Sequence, residues 1–186
     1  MTSFETVEVD VSSLRWYADD DDPDDEGEGC NRSYRTFIGH GWEEVAATIA
    51  AESEWILRLS AGEPEQALRD DLDARLDGDA APQPGDFDYD LTALYELDIG
   101  VAAAVIALSA AGDVPLYSCN GQPGHAEDHP LVLLRCDRPH AEALARIAEL
   151  ARCGLVNAPN GRLLLYCGEA ARLTHFAQRM LQSRGE

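Results

Sequence analysis

The chain has 186 residues, 45% of them hydrophobic, so it can bury a core and is neither collagen-like nor wholly disordered. It contains no apolar run of the roughly 18 residues that a membrane-spanning helix needs. The formal net charge is −21, and residues 1–90 carry 25 acidic residues and six arginines, a net charge of −19, which argues against non-specific nucleic-acid binding.

The first half, residues 1–90, is predicted to be an acidic region. Val7, Val9 and Val11 alternate with polar residues, which is typical of a half-buried strand. The predicted elements are, in chain order, a strand at 4–11, a mobile acidic loop at 18–29, helices at about 41–60 and 64–77, and a linker at 78–90.

The second half, residues 91–186, is predicted to be an α+β unit. Its pattern gives a helix at 99–111 with Asp98 as N-cap, strands at 115–118 and 131–136, a helix at 139–152, strands at 155–157 and 162–167, and a helix at 169–181. This order favours a two-layer sandwich, with helices packed on a mostly antiparallel or mixed sheet. The two halves are either separate regions or one continuous fold.

The cysteines and the N-terminal residues bear on the compartment. The five cysteines include no close CxxC pair, and the first residues contain neither a basic segment nor a long apolar one. We therefore expect reduced thiols, no secretory signal and a cytoplasmic location.

The segment 117–130, between two predicted strands, carries the candidate chemistry. Cys119, His125 and His129 have the spacing C-x5-H-x3-H, and thiolate and imidazole are ligands that zinc prefers. These three residues are predicted metal ligands. A fourth ligand is not evident in the loop, so water, Glu127, Asp128 or the distant His175 would complete the site.

Two other interpretations of this loop remain open. Cys119 can be a catalytic nucleophile or redox thiol, with His125 or His129 as its base. Alternatively the loop is structural, since its Asn-Gly and Pro-Gly pairs are common in turns. A small molecule could still bind to its polar groups and backbone amides, for which the candidates are Ser118, Asn120, Gly121 and Gln122.

The motif Ser118-Cys119-x-Gly121 follows a predicted helix and strand, and a strand–helix–strand unit comes after it. In this layout residues 99–167 resemble the wybutosine-synthesis tRNA methyltransferase family. That resemblance implies use of S-adenosylmethionine and methyl transfer to RNA, without a Rossmann fold. Short Ser-Cys-x-Gly loops of this kind are also similar to ones in uncharacterised prokaryotic proteins.

Three functions follow as hypotheses. The first is a small-molecule or metal-binding pocket, with zinc as the candidate ion, at the loop from Ser118 to His129. The second is a methyltransferase-like enzyme that uses S-adenosylmethionine and acts on RNA. The third is an interaction or inhibitor protein whose acidic half binds a basic protein partner. The sequence leaves open the substrate, the oligomeric state and whether the protein is an enzyme.

Overall fold

A computed structural model describes residues 37, 39–64, 66–68, 70, 94, 97–122, 125, 127–158 and 161–184. The strand predicted at 4–11, the acidic loop at 18–29 and the linker at 78–90 lie outside these residues. Of the helix predicted at 64–77, residues 66–68 and 70 are helical, and positions 71–77 are not among the described residues.

The helices and strands follow the predicted order closely. The elements with defined bounds are α1 (Trp42–Ser60), α2 (Ala102–Ala110), β1 (Val114–Cys119), β2 (Leu131–Arg135), α3 (Arg138–Ala151), β3 (Gly154–Ala158), β4 (Arg162–Tyr166) and α4 (Ala171–Ser183). Their ends differ from the predicted ends by at most three residues. The local patterns of apolar residues therefore identify these elements correctly.

The four strands form one antiparallel sheet in the order β1-β2-β4-β3. Val132 pairs with Leu165 and Leu134 pairs with Leu163, so these four side chains share one face of the sheet. All four are buried, which makes this face the inner one. Of the two sheet types that the sequence allowed, the antiparallel one is observed.

The helices pack on the inner face of the sheet and on one another. α2 contacts β1, α3 contacts β3, and α4 packs against both α2 and α3. α1 has its main contacts with α2 and α4, where it buries Val45, Ile49 and Trp55 in the core that the other helices share. The predicted α+β fold with helices on an antiparallel sheet is confirmed, and α1 of the acidic half belongs to the same core.

Helix α2 is buried on nearly every side, as its almost wholly apolar sequence predicts. The prediction that Asp98 caps this helix is wrong: the N-cap is Val101, which offers no side-chain acceptor. The Glu52 carboxylate from α1 accepts hydrogen bonds there instead, from the backbone N–H of Gly100 at 2.9 Å and of Ala103 at 3.4 Å. A helix start in a dry core needs such an acceptor, because water cannot reach its free N–H groups.

Despite its apolar sequence, α2 spans only nine residues, or about 14 Å. Among the helices of the described ranges, none combines the length and hydropathy of a membrane span.

Candidate metal centre

The loop that follows β1 and the turn that precedes α2 meet at one end of the sheet. Cys119 is the last residue of β1, and it pairs with Leu131, the first residue of β2. The Asp98 carboxylate and the His125 imidazole lie beside its sulfur, and the ligand atoms of these three residues are all within 4.8 Å of one another. We call these three residues the Asp–Cys–His cluster.

Local turn chemistry folds His125 back towards Cys119. The Asn120 side-chain oxygen accepts a hydrogen bond from the backbone N–H of Gln122 at 3.2 Å, which forms an Asx turn. A second turn follows, in which the His125 N–H donates to the Gln122 carbonyl at 3.0 Å. Gly121 is the central residue of the Asx turn and has φ +68°. A Cβ there would overlap the backbone of His129, so only glycine fits this position without strain.

The turn that carries Asp98 is held by the rest of the fold. The Asn120 amide nitrogen donates to the Ile99 carbonyl at 3.2 Å. Gly100 has φ +99°, and a Cβ on it would overlap the Cβ of Ala170, at the start of α4. Asn120 therefore ties the segment that bears Asp98 to the loop that bears the other two residues of the cluster.

Glu52 supports the same turn from inside the core, through its hydrogen bond from Gly100. Its side chain is fully buried, and its other oxygen accepts a hydrogen bond from the Thr174 hydroxyl at 2.6 Å. Burial raises the pKa of Glu52 to about 7, and the hydrogen bonds from Thr174 and the backbone oppose this rise. A single carboxyl group thus joins α1, the start of α2 and α4.

Two of the three separations within the cluster are close to those around a tetrahedral metal ion. The Cys119 sulfur lies 3.8 Å from His125 Nδ1, and the same nitrogen lies 3.4 Å from Asp98 Oδ2. With ordinary zinc–ligand bond lengths, a tetrahedral ion separates sulfur from nitrogen by about 3.6 Å and nitrogen from oxygen by about 3.4 Å. The third pair, the Cys119 sulfur and an Asp98 carboxylate oxygen, lies within 4.8 Å.

The cluster also has the exposure of an open site. Cys119 is 4% exposed, whereas the side chains of His125 and Asp98 are 27% and 23% exposed. One side of the cluster therefore faces the core and the other faces solvent. Solvent can therefore reach one side of the cluster, as it does in zinc sites that keep an exchangeable position.

The predicted site residues are distributed as follows. The structure brings Cys119 and His125 together and does not bring His129 into the cluster, since its exposed side chain lies apart from these atoms. Asn120 is buried, and its side-chain nitrogen and oxygen both form hydrogen bonds with backbone groups. Gln122 is half-buried in the loop, and Ser118 is half-buried in β1 opposite Val132. Ligand binding by these residues and Gly121 stays a prediction.

The sequence pattern does not identify Asp98 as a member of the cluster. An acidic residue before an apolar helix is typical of an N-cap, and no local pattern distinguishes a cap from a ligand. Glu52 was also missed, although a signal existed. It interrupts the apolar stripe of α1 between Ile49 and Ile56, and a polar residue within such a stripe indicates a buried polar contact.

Comparison with known proteins yields no match: no family model fits the chain, and no curated protein or solved structure is significantly similar to it. The resemblance to wybutosine-synthesis methyltransferases therefore stays a prediction, as does binding of a basic partner by the acidic half.

Proposed function

We propose that Asp98, Cys119 and His125 bind a zinc ion, with water as an exchangeable fourth ligand. The observation that carries this proposal is the convergence of three zinc-preferred ligand atoms within 4.8 Å of one another, with two of the three separations close to tetrahedral values. Charge supports it as well. One carboxylate and one thiolate balance the two positive charges of the ion, which favours binding at a half-buried position.

The geometry favours a metal ion over a thiol–imidazole catalytic pair. In such a pair the base uses one ring nitrogen for the nucleophile and the other for the group that orients it. Here the Cys119 sulfur and the Asp98 carboxylate both face Nδ1 of His125. One nitrogen carries at most one proton and cannot donate well to both, whereas an ion between the three atoms satisfies all of them.

An open zinc site with three protein ligands supplies a defined chemistry. Held by Asp98, Cys119 and His125, a zinc ion would lower the pKa of a bound water to about 7 and would polarise a carbonyl or phosphoryl oxygen. The proposed activity is therefore zinc-assisted hydrolysis of a small molecule that reaches the cluster from its exposed side. The protein supplies fixed ligands, because Asn120 and Gly100 hold the two ligand-bearing segments in place.

The test is the metal content of protein purified without an affinity tag or chelator, measured by elemental mass spectrometry. We expect about one zinc per chain, and its loss in Asp98→Asn, Cys119→Ser and His125→Ala. His129→Ala is the matched control, because the C-x5-H-x3-H spacing of the loop predicts His129 as the third metal ligand. We expect this variant to keep its zinc, because His129 lies outside the Asp–Cys–His cluster.

Other results would contradict the zinc site or change its ligand set. A wild-type protein that holds no zinc, even after incubation with equimolar zinc and desalting, contradicts the proposal. Loss of zinc from His129→Ala together with retention in Asp98→Asn would replace Asp98 by His129 in the ligand set. Alkylation of Cys119 that zinc does not slow would point instead to a free thiol and to the nucleophile hypothesis.

A further inference from the structure

Two buried thiols face each other at the end of the β3–β4 ladder, apart from the Asp–Cys–His cluster. Gly154 pairs with Tyr166 in this antiparallel ladder, so the next positions outward, Cys153 and Cys167, are opposite each other. Opposed residues of antiparallel strands have Cα atoms about 4.5–5.5 Å apart, which lies within the roughly 4.4–6.8 Å range that disulfides span. The backbone therefore need not move for these two residues to be joined.

The backbone around both cysteines is fixed. The N–H of Cys153 donates to the Ala148 carbonyl at 2.8 Å, and the N–H of Cys167 donates to the Pro130 carbonyl at 3.0 Å. Both cysteines are free thiols, and each residue is at most 2% exposed. Their separation is therefore set by the fold rather than by chance encounter.

Both sulfurs point to the start of α4, and the two thiols differ in acidity. The Cys153 thiol donates to the Arg172 carbonyl at 3.5 Å, and the Cys167 thiol donates to the Glu169 carbonyl at 3.1 Å. The pKa of Cys167 is lowered, chiefly by the neighbouring Cys153 side chain and also by the backbone of the α4 start and by Arg172, while burial opposes this. The pKa of Cys153 is raised, chiefly by the neighbouring Cys167 side chain and by burial. Such a pair has one thiol suited to ionise and a neighbouring thiol that stays protonated, which is the division of roles in thiol oxidation.

Cys136 shows what a buried thiol without this partnership is like. It lies just after β2, and its pKa is raised by burial first and then by the nearby carboxylates of Asp113 and Asp137. Thiolate is the reactive form of cysteine, so Cys136 should resist oxidation. It provides an internal control at a similar depth in the same protein.

We propose that Cys153 and Cys167 are a redox dithiol that a hydroperoxide oxidises to a cross-strand disulfide. The Cys167 thiolate attacks the peroxide, whose O–O bond breaks to give Cys167 sulfenic acid and hydroxide. The Cys153 thiol then displaces the sulfenic oxygen, which leaves as water while the S–S bond forms. The two thiols lose two electrons and the peroxide gains them. Burial restricts the oxidant to a small neutral molecule such as hydrogen peroxide.

The experiment treats folded full-length protein with hydrogen peroxide, using reduced glutathione in the same solution as a reference thiol. The protein is then unfolded in excess alkylating agent. We expect free thiols to fall from five to three per chain and to return to five with a reductant. Peptide mapping should show residues 153 and 167 joined. Closing this segment of about 15 residues should also raise Tm by about 6–12 °C.

Two variants make the result specific. In Cys153→Ser, the sulfenic acid on Cys167 has no partner thiol, so we expect a dimedone adduct at Cys167 and no disulfide. Cys136→Ser should form the disulfide as the wild type does. The proposal is overturned if the glutathione is consumed while both thiols stay reduced, or if a different pair of cysteines is joined. A bond between other cysteines would show that the ladder does not select the partners.

Discussion

Replacing Glu52 by glutamine should remove a pH dependence of stability that a single buried carboxyl group creates. Its folded-state pKa is about 7, against an ordinary value of 4.5, because burial disfavours its charged form. The folded protein thus holds this proton more tightly than the unfolded chain does. The stability that Glu52 contributes is fully present below about pH 4.5 and is lost as the pH rises through about 7.

The size of the effect follows from the same two values. A difference of about 2.5 pKa units corresponds to about 3 kcal/mol in the free energy of unfolding. Glutamine is neutral throughout and resembles the protonated acid in shape. Its oxygen can accept from Gly100 and Ala103, and its nitrogen can donate to the Thr174 hydroxyl.

The assay is urea denaturation of the wild type and Glu52→Gln at several pH values from 4.5 to 8.5. We expect the stability of the variant, relative to the wild type, to increase by about 3 kcal/mol across this range. The control Glu149→Gln removes one charge from an exposed position on α3 and measures the general effect of charge. A relative stability of Glu52→Gln that stays flat, or that decreases with pH, would refute the reasoning about burial.

Three further substitutions test the site and the core. Asn120→Ala removes the hydrogen bond to Ile99 that joins the two ligand-bearing segments. The zinc affinity measured by competition titration should therefore fall about 10- to 100-fold, and an unchanged affinity would contradict this role of Asn120. Gly121→Ala should lower the free energy of unfolding by about 1–3 kcal/mol or more, because φ is +68° at this position and the new Cβ would meet the His129 backbone. Urea denaturation measures this loss, and an unchanged stability would contradict the loop geometry. Phe176→Ala should lower the free energy of unfolding by about 3–5 kcal/mol in the same assay, because this side chain is fully buried. The zinc content of the folded variant should stay unchanged. A loss of stability below about 1 kcal/mol would contradict the packing of Phe176.

The periodicity of apolar residues identifies most of the fold. On α4, Leu173, Phe176 and Met180 recur at helical spacing, and the structure buries all of them. The strands show the same agreement, since short apolar runs lie between turn residues. The strand order was not predictable in this way. The pairing of β4 with β2, which places it between β2 and β3, depends on tertiary packing.

The candidate site was predictable only in part, for a physical reason. Cys119 and His125 are six residues apart and joined by turn residues, so local rules can bring them together. Asp98 reaches them through the path of α2 and β1, which no local pattern encodes. His129 has favourable spacing, but its backbone packs against Gly121 while its side chain stays exposed.

The Cys153–Cys167 pair was not predictable from the sequence. The Asn160-Gly161 dipeptide is typical of a two-residue turn, which would place position 154 opposite 167. In the structure Ala158 pairs with Arg162, and this register places position 153 opposite 167. The thiol acidities of the pair depend on the start of α4 and on burial, which become apparent only once the chain is folded.

X-ray absorption spectroscopy at the zinc edge tests the central claim most directly, because it reports the atoms bound to the ion. For protein loaded with one equivalent of zinc, we expect one sulfur scatterer at about 2.3 Å and three nitrogen or oxygen scatterers at about 2.0–2.2 Å. The sulfur scatterer should vanish in Cys119→Ser. A shell of nitrogen and oxygen alone in the wild type, or a shell with two or more sulfur atoms, would contradict the ligand set Asp98, Cys119, His125 and water.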